Sequence, residues 1–204
     1  MCYSPMSSFG TFLFVFCICI FLWIRGNKLR KAISIILFTI SLMQLLEGFI
    51  WLNIKCNHIN KILSLFIPII LYFQPLIILG TVYYFKVGLL SNIIYKNLLL
   101  IWVFFLPFFI YWIKDIIGKC TTIGKNGHLV WPKPPNSITT TIMGLMYSVF
   151  IVIGFITLNT PWYGIFYFII SAISYCISKD KYGSSWSSMW CHFVNILAAG
   201  ALFI

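Results

Sequence analysis

The sequence predicts an all-α fold, a polytopic membrane bundle of seven transmembrane helices, and three observations predict it. Hydrophobic residues make up 61% of the 204 and charged residues only 8%, too lopsided a balance for a chain whose main solvent is water. Seven apolar stretches account for most of the length, and a helix needs about 20 such residues to cross a bilayer. The 14 basic residues fall almost entirely in the links between those stretches, as Arg25, Lys28, Arg30 and Lys31 show. That is the placement of membrane-flanking charge attracted to anionic head groups. The net charge of +11 therefore points to the lipid bilayer as partner and not to nucleic acid, for which no basic face remains outside the membrane. Short links leave room for a single integral domain over residues 1–204.

The first stretch, residues 9–24, reads as a retained span and not a cleavable signal. No Lys or Arg precedes it within the first ten residues, and the basic cluster follows it. That order favours an external or luminal N-terminus. The second stretch is 32–54. The third, 62–85, carries Pro68 and Pro75 with Gln74 beside the second, a combination that favours a kink where neighbours can satisfy the freed carbonyls. After the fourth, 98–113, comes a polar, proline-rich loop over 114–137, containing Trp131-Pro132-Lys133-Pro134-Pro135. It is expected to lie on the surface, with a lid as the alternative and Trp131 as an anchor in the head-group layer. Asn159-Thr160-Pro161 joins the fifth stretch, 138–158, to the sixth, 162–177, and the seventh is 184–204. Alternating spans put Lys55, Lys61, Lys114, Lys119, Lys125, Lys133, Lys179 and Lys181 on the N-terminal side. Arg25, Lys28, Arg30, Lys31, Lys86 and Lys96 fall on the other, a near balance that does not fix the orientation.

Polar residues inside the spans are few. Of three acids, Asp115 and Asp180 lie beside lysines at span ends, whereas Glu47 lies within the second span. Helical spacing places Gln44, Glu47 and Trp51 on one stripe. An acid at this depth costs about 2.5–3.5 kcal/mol on insertion scales, so it should face protein or trapped water. In the last stretch Ser184, Ser188, His192 and Asn195 again share a stripe. Glu47 lies about 10 Å from its span end and His192 about 13 Å beyond Gly183, both in the N-terminal half of the membrane. Cys2, Ser4, Cys56, His58, Cys120 and His128 belong to that face as well. The expectation is one polar pocket opening there, walled by Gln44, Trp51, Ser188 and Asn195. The bland reading is a neutral Glu47 bonded across a helix interface, with the serines serving close packing.

The start Met1-Cys2-Tyr3-Ser4 with Ser8-Phe9, then Gln44-x-x-Glu47-Gly48-x-x-Trp51, Gly183-Ser184-x-Trp186 and Trp190-Cys191, resembles an uncharacterised family of small multi-span membrane proteins from bacteria and large DNA viruses that begin Met-Cys-Phe/Tyr-Ser. The resemblance is specific over the first 51 residues and partial in the last stretch. It implies a multi-span bundle, points to Cys2 and Glu47, and brings no activity. Likeness to seven-span zinc hydrolases is one of span count only, because the paired histidines they use are absent. A rhodopsin-like reading fails for want of a lysine in the seventh span.

Three functions compete. The first is passage or binding of protons, ions or a small solute at a Glu47–His192 pocket, extended by Gln74, because intramembrane carboxyl and imidazole groups mark such routes. The second is an intramembrane hydrolase or transferase with Cys2 as nucleophile, His192 as base and Glu47 orienting it. The third is a structural or receptor-like bundle. No cofactor is indicated. Cys56 and Cys120 are expected near enough to pair if their face is oxidising, with two free thiols as the alternative. A weaker one is a metal site of Cys56, His58, Cys120 and His128.

Overall fold

The computed structural model describes residues 4–133, 138–182 and 193–204, with the side chains of 139, 140 and 179–182 left aside. Polar side chains start the first three helices, each satisfying an otherwise orphaned backbone N–H. Ser4 caps α1 (Pro5–Arg25) by accepting from the Ser7 amide at 3.2 Å. Asn27 caps α2 (Lys28–Leu52) through the Arg30 amide at 3.0 Å, and Asn57 caps α3 (His58–Phe85) through that of Asn60 at 2.9 Å. The next rod is broken at Phe105 into α4 (Asn92–Phe104) and α5 (Leu106–Lys114). Pro107 explains the break, since it lacks the N–H a continuous helix would use and fits the first turn of a new one. A two-stranded antiparallel hairpin, β1 (Thr122–Ile123) with β2 (Leu129–Val130), interrupts the helices. The chain then forms α6 (Ile138–Ile156), α7 (Pro161–Tyr182) and a short α8 (Val194–Ala201).

The protein is an integral multi-pass membrane protein. Five helices are long and apolar enough to cross: Pro5–Arg25, Lys28–Leu52, His58–Phe85, Asn92–Lys114 and Pro161–Ser178. Counting α4 and α5 as one rod, seven helices are described, five of them long and apolar enough to cross. The apolar part of α6 is the shorter run Thr141–Ile156. Of the expected seventh span, 184–204, residues 184–192 lie outside the described residues, and Val194–Ala201 forms α8. The fourth begins at Asn92 and not at residue 98, because the amphipathic Asn92–Asn97 segment extends the helix into the interface.

Burial identifies α2 as the centre. Its apolar window is 67% buried, against 28% for α1 and 17% for the α4–α5 rod, which face outward along much of their length. α2 packs against α1, α3 and α8, while α6 joins α3 to α7. In the turn before Pro75, the Tyr72 carbonyl accepts from the Trp102 indole N–H at 3.0 Å. Trp102 is fully buried and Tyr72 nearly so, so this bond ties α4 to α3 inside the bundle. On the face opposite the N-terminus, the α3–α4 and α6–α7 links pair by backbone. Leu89 donates to the Thr157 carbonyl at 2.6 Å and Asn159 to that of Val87 at 2.9 Å.

Candidate functional site

The loop after α5 is a fixed cap over the C-terminal end of α2 and the N-terminal end of α3. Its first anchor is a disulfide between Cys56 and Cys120, whose Cα atoms are 5.5 Å apart. The second is a buried polar cluster. The Asn60 amide group donates to the carbonyls of Asn53 at 2.8 Å and Thr121 at 3.1 Å, and its Oδ1 accepts from the Thr121 amide at 2.9 Å. Ser64, one turn further along α3, bonds Asn60 Oδ1 at 3.0 Å and the Thr121 hydroxyl at 2.7 Å. Asn60, Ser64 and Thr121 are all fully buried, so breaking any of these bonds would leave polar atoms without water.

The third anchor reaches the acid. The Trp131 indole N–H donates to Glu47 Oε1 at 3.0 Å. Glu47 is fully buried and Trp131 is 8% exposed. Trp131 and Leu129 pack with Met43, Leu46, Ile50 and Ile67 in an apolar cluster of their own, separate from the main core. The expected surface loop with Trp131 in the head-group layer is thus corrected. The hairpin turns the segment back on itself, and burial of a tryptophan whose N–H finds an acceptor outweighs the head-group position. Gly48 lets α1 close on the same turn of α2: an added Cβ would stand 2.6 Å from a ring carbon of Phe9.

Gln44, one turn before Glu47, is fully buried, and Trp51, one turn after, is half-buried. Asn195 on α8 comes to the same side of the bundle, donating to the Thr11 hydroxyl on α1 at 3.3 Å. Three buried atoms on α1, α2 and α8 have no hydrogen-bond partner among the described residues: Ser8 Oγ, Trp51 Nε1 and Asn195 Oδ1. Gln74 is engaged elsewhere. Its Oε1 accepts from the Tyr147 hydroxyl at 2.6 Å and its Nε2 donates to the Thr39 carbonyl at 3.4 Å, tying α3 to α6 and α2. Thr39 lies two helical turns, about 12 Å, from Glu47. Cys2, Ser188 and His192 lie outside the described residues.

His58 begins α3 at the surface, whereas His128 is fully buried in the cap. The disulfide uses both sulfurs that a Cys56, His58, Cys120 and His128 site would need as thiolates. Among the described residues no group of three or more His, Cys, Asp or Glu is placed to hold a metal.

The Trp131–Glu47 bond and the Asn60–Ser64–Thr121 cluster were missed at the level of sequence. A signal for the second existed: Asn and Ser four apart in the first turns of a membrane helix, next to a cysteine. Nothing in the sequence signalled the first, since 84 residues separate the partners. No family model matches this chain, and neither curated proteins nor solved structures yield a match.

Proposed function

We propose that this membrane protein binds or passes protons, small ions or a small polar solute at Glu47, entering from the N-terminal face, and that the 115–133 cap controls access. The observation that carries the reading is the Trp131–Glu47 hydrogen bond. Glu47, the acid that the sequence places within a membrane span, accepts a hydrogen bond from a loop residue 84 positions away. A loop residue can leave and return, so it can exchange with water or a ligand. Ser8, Trp51 and Asn195 atoms, without partners among the described residues, supply hydrogen-bonding capacity on α1, α2 and α8, and the family resemblance draws attention to the same Glu47.

The disulfide supports an orientation in which the N-terminal face meets an oxidising compartment, because such bonds persist outside the reducing cytosol. Solute would then enter from the external or luminal side.

The test is proton or solute flux into proteoliposomes holding a pH-sensitive dye. Trp131→Ala should raise the rate by opening the cap, and Glu47→Gln should abolish it at unchanged yield. Equal flux through wild type and Glu47→Gln would sink the proposal. A structural reading has its own observation: the disulfide and the Asn60 cluster already fix the cap, and Trp131–Glu47 could be a third clasp. Under that reading both variants lose stability and neither alters any flux.

A further inference from the structure

We propose a second site, on the opposite face, that holds one anionic glycerophospholipid at the turned end of the α1–α2 hairpin. Its phosphate would sit against Lys28, Lys31 and Lys86, and an acyl chain would lie in the groove between α1 and α2. A hollow of about 380 Å3 is lined by these three lysines with Tyr84 and Phe85. A second hollow of about 380 Å3, almost wholly apolar, is lined by Phe16, Ile20, Trp23, Ile35 and Phe38 among others. Lys31 joins the two, since it lines the first and its Nζ stands 5.7 Å from the ring centre of Trp23, which lines the second.

The register of α2 makes them one continuous surface. Lys28, Lys31, Ile35 and Phe38 are spaced three, four and three residues apart, a single helical stripe running from the basic end into the apolar groove. The groove's floor is closed by a bond from the Ser34 hydroxyl to the Cys19 carbonyl at 2.8 Å, so its polar groups are already satisfied and its occupant must be apolar. Lys86 adds a fixed point, held at the C-terminus of α3 with φ 55°, a left-handed conformation unusual for a side-chain-bearing residue.

Charge identifies the occupant. The six basic residues assigned to this face are Arg25, Lys28, Arg30, Lys31, Lys86 and Lys96, and none of the three acids of the chain lies there. Three of those cations converge on a hollow with no carboxylate to neutralise them. A phosphodiester joined to a hydrocarbon chain matches both halves, whereas a zwitterionic lipid would bring a cation to the lysines. Head-group attraction is worth roughly fivefold in affinity per lysine near the surface.

Native mass spectrometry of the full chain, titrated with phosphatidylglycerol or phosphatidylcholine of equal chain length, tests the assignment. One phosphatidylglycerol should bind wild type in clear preference to phosphatidylcholine. Lys31→Gln should cut that preference roughly fivefold and the Lys28, Lys31 and Lys86 triple Gln variant should abolish it. Lys31→Arg should keep it, and serves if the triple variant does not accumulate. Gln at Lys55, Lys61 and Lys125, on the other face, should change nothing. Ile20→Trp, filling the groove, should weaken phosphatidylglycerol while glycerol 3-phosphate and inorganic phosphate fail to displace it. Equal binding of the two lipids, an equal loss in the control variants, or displacement by free phosphate would each overturn the proposal.

Discussion

The two faces of the bundle are closed by different means. At the N-terminal face a segment of about twenty residues is held by a disulfide, a buried Asn–Ser–Thr cluster and a tryptophan bonded to Glu47. At the opposite face two short links are held by main-chain hydrogen bonds and the Tyr95 hydroxyl, which donates to the Thr157 carbonyl at 3.2 Å. Link length accounts for the difference. Ordering each loop residue costs about 1–2 kcal/mol of conformational entropy, so a long cap needs several independent anchors where a short link needs a few backbone bonds. The cap differs in one more way from the short links, because it lies over Glu47.

The comparison can be broken most forcefully at the disulfide. Replacing Cys56 and Cys120 with Ser should cost up to about 4 kcal/mol on the chain-entropy account for a 64-residue separation. Unfolding in mixed micelles would measure it, and amide exchange should rise in 115–133 while the α3–α4 link stays protected. Uniform loosening of both faces would show that they are not independent. Next is Asn60→Ala, which removes the donor to the Asn53 and Thr121 carbonyls and leaves the Thr121 amide with Ser64 Oγ as its acceptor. A loss of about 2–3 kcal/mol is expected for buried groups left unpaired. A value under half a kcal/mol would mean that water enters the cluster.

On the opposite face, Gly88→Ala should cost about 1–3 kcal/mol, because an added Cβ would collide with the Tyr95 hydroxyl and push it off Thr157. Its effect should stay within the short links, leaving the cap's exchange unchanged. The smallest effect belongs to the middle. Tyr147→Phe removes the donor to Gln74 and should cost about 0.6 kcal/mol, the average for hydrogen bonds between membrane helices. A change in flux through that variant would bring Gln74 into the route that begins at Glu47.

Hydropathy made the membrane class legible, because the solvent acts on every residue of a span alike and needs no knowledge of neighbours. The limits of α1, α2 and α3 were readable within a few residues, with Ser4, Asn27 and Asn57 as polar starts. The count of crossings was less so. Seven apolar stretches were expected, and five helices have the length and hydropathy of a span among the described residues.

Sequence alone determined that Glu47 could not face lipid, since transferring an acid to hydrocarbon costs more than one helix recovers, and the structure buries it fully. It also brought Cys56 and Cys120 to one face by counting spans. Only the tertiary structure decided that those two sulfurs join, that Asn60 and Ser64 hold Thr121, and that Trp131 turns inward to the carboxylate. Local periodicity carries the cost of burying each residue. The partner that offsets that cost is chosen by how distant segments pack, and here the partner lies 84 residues away.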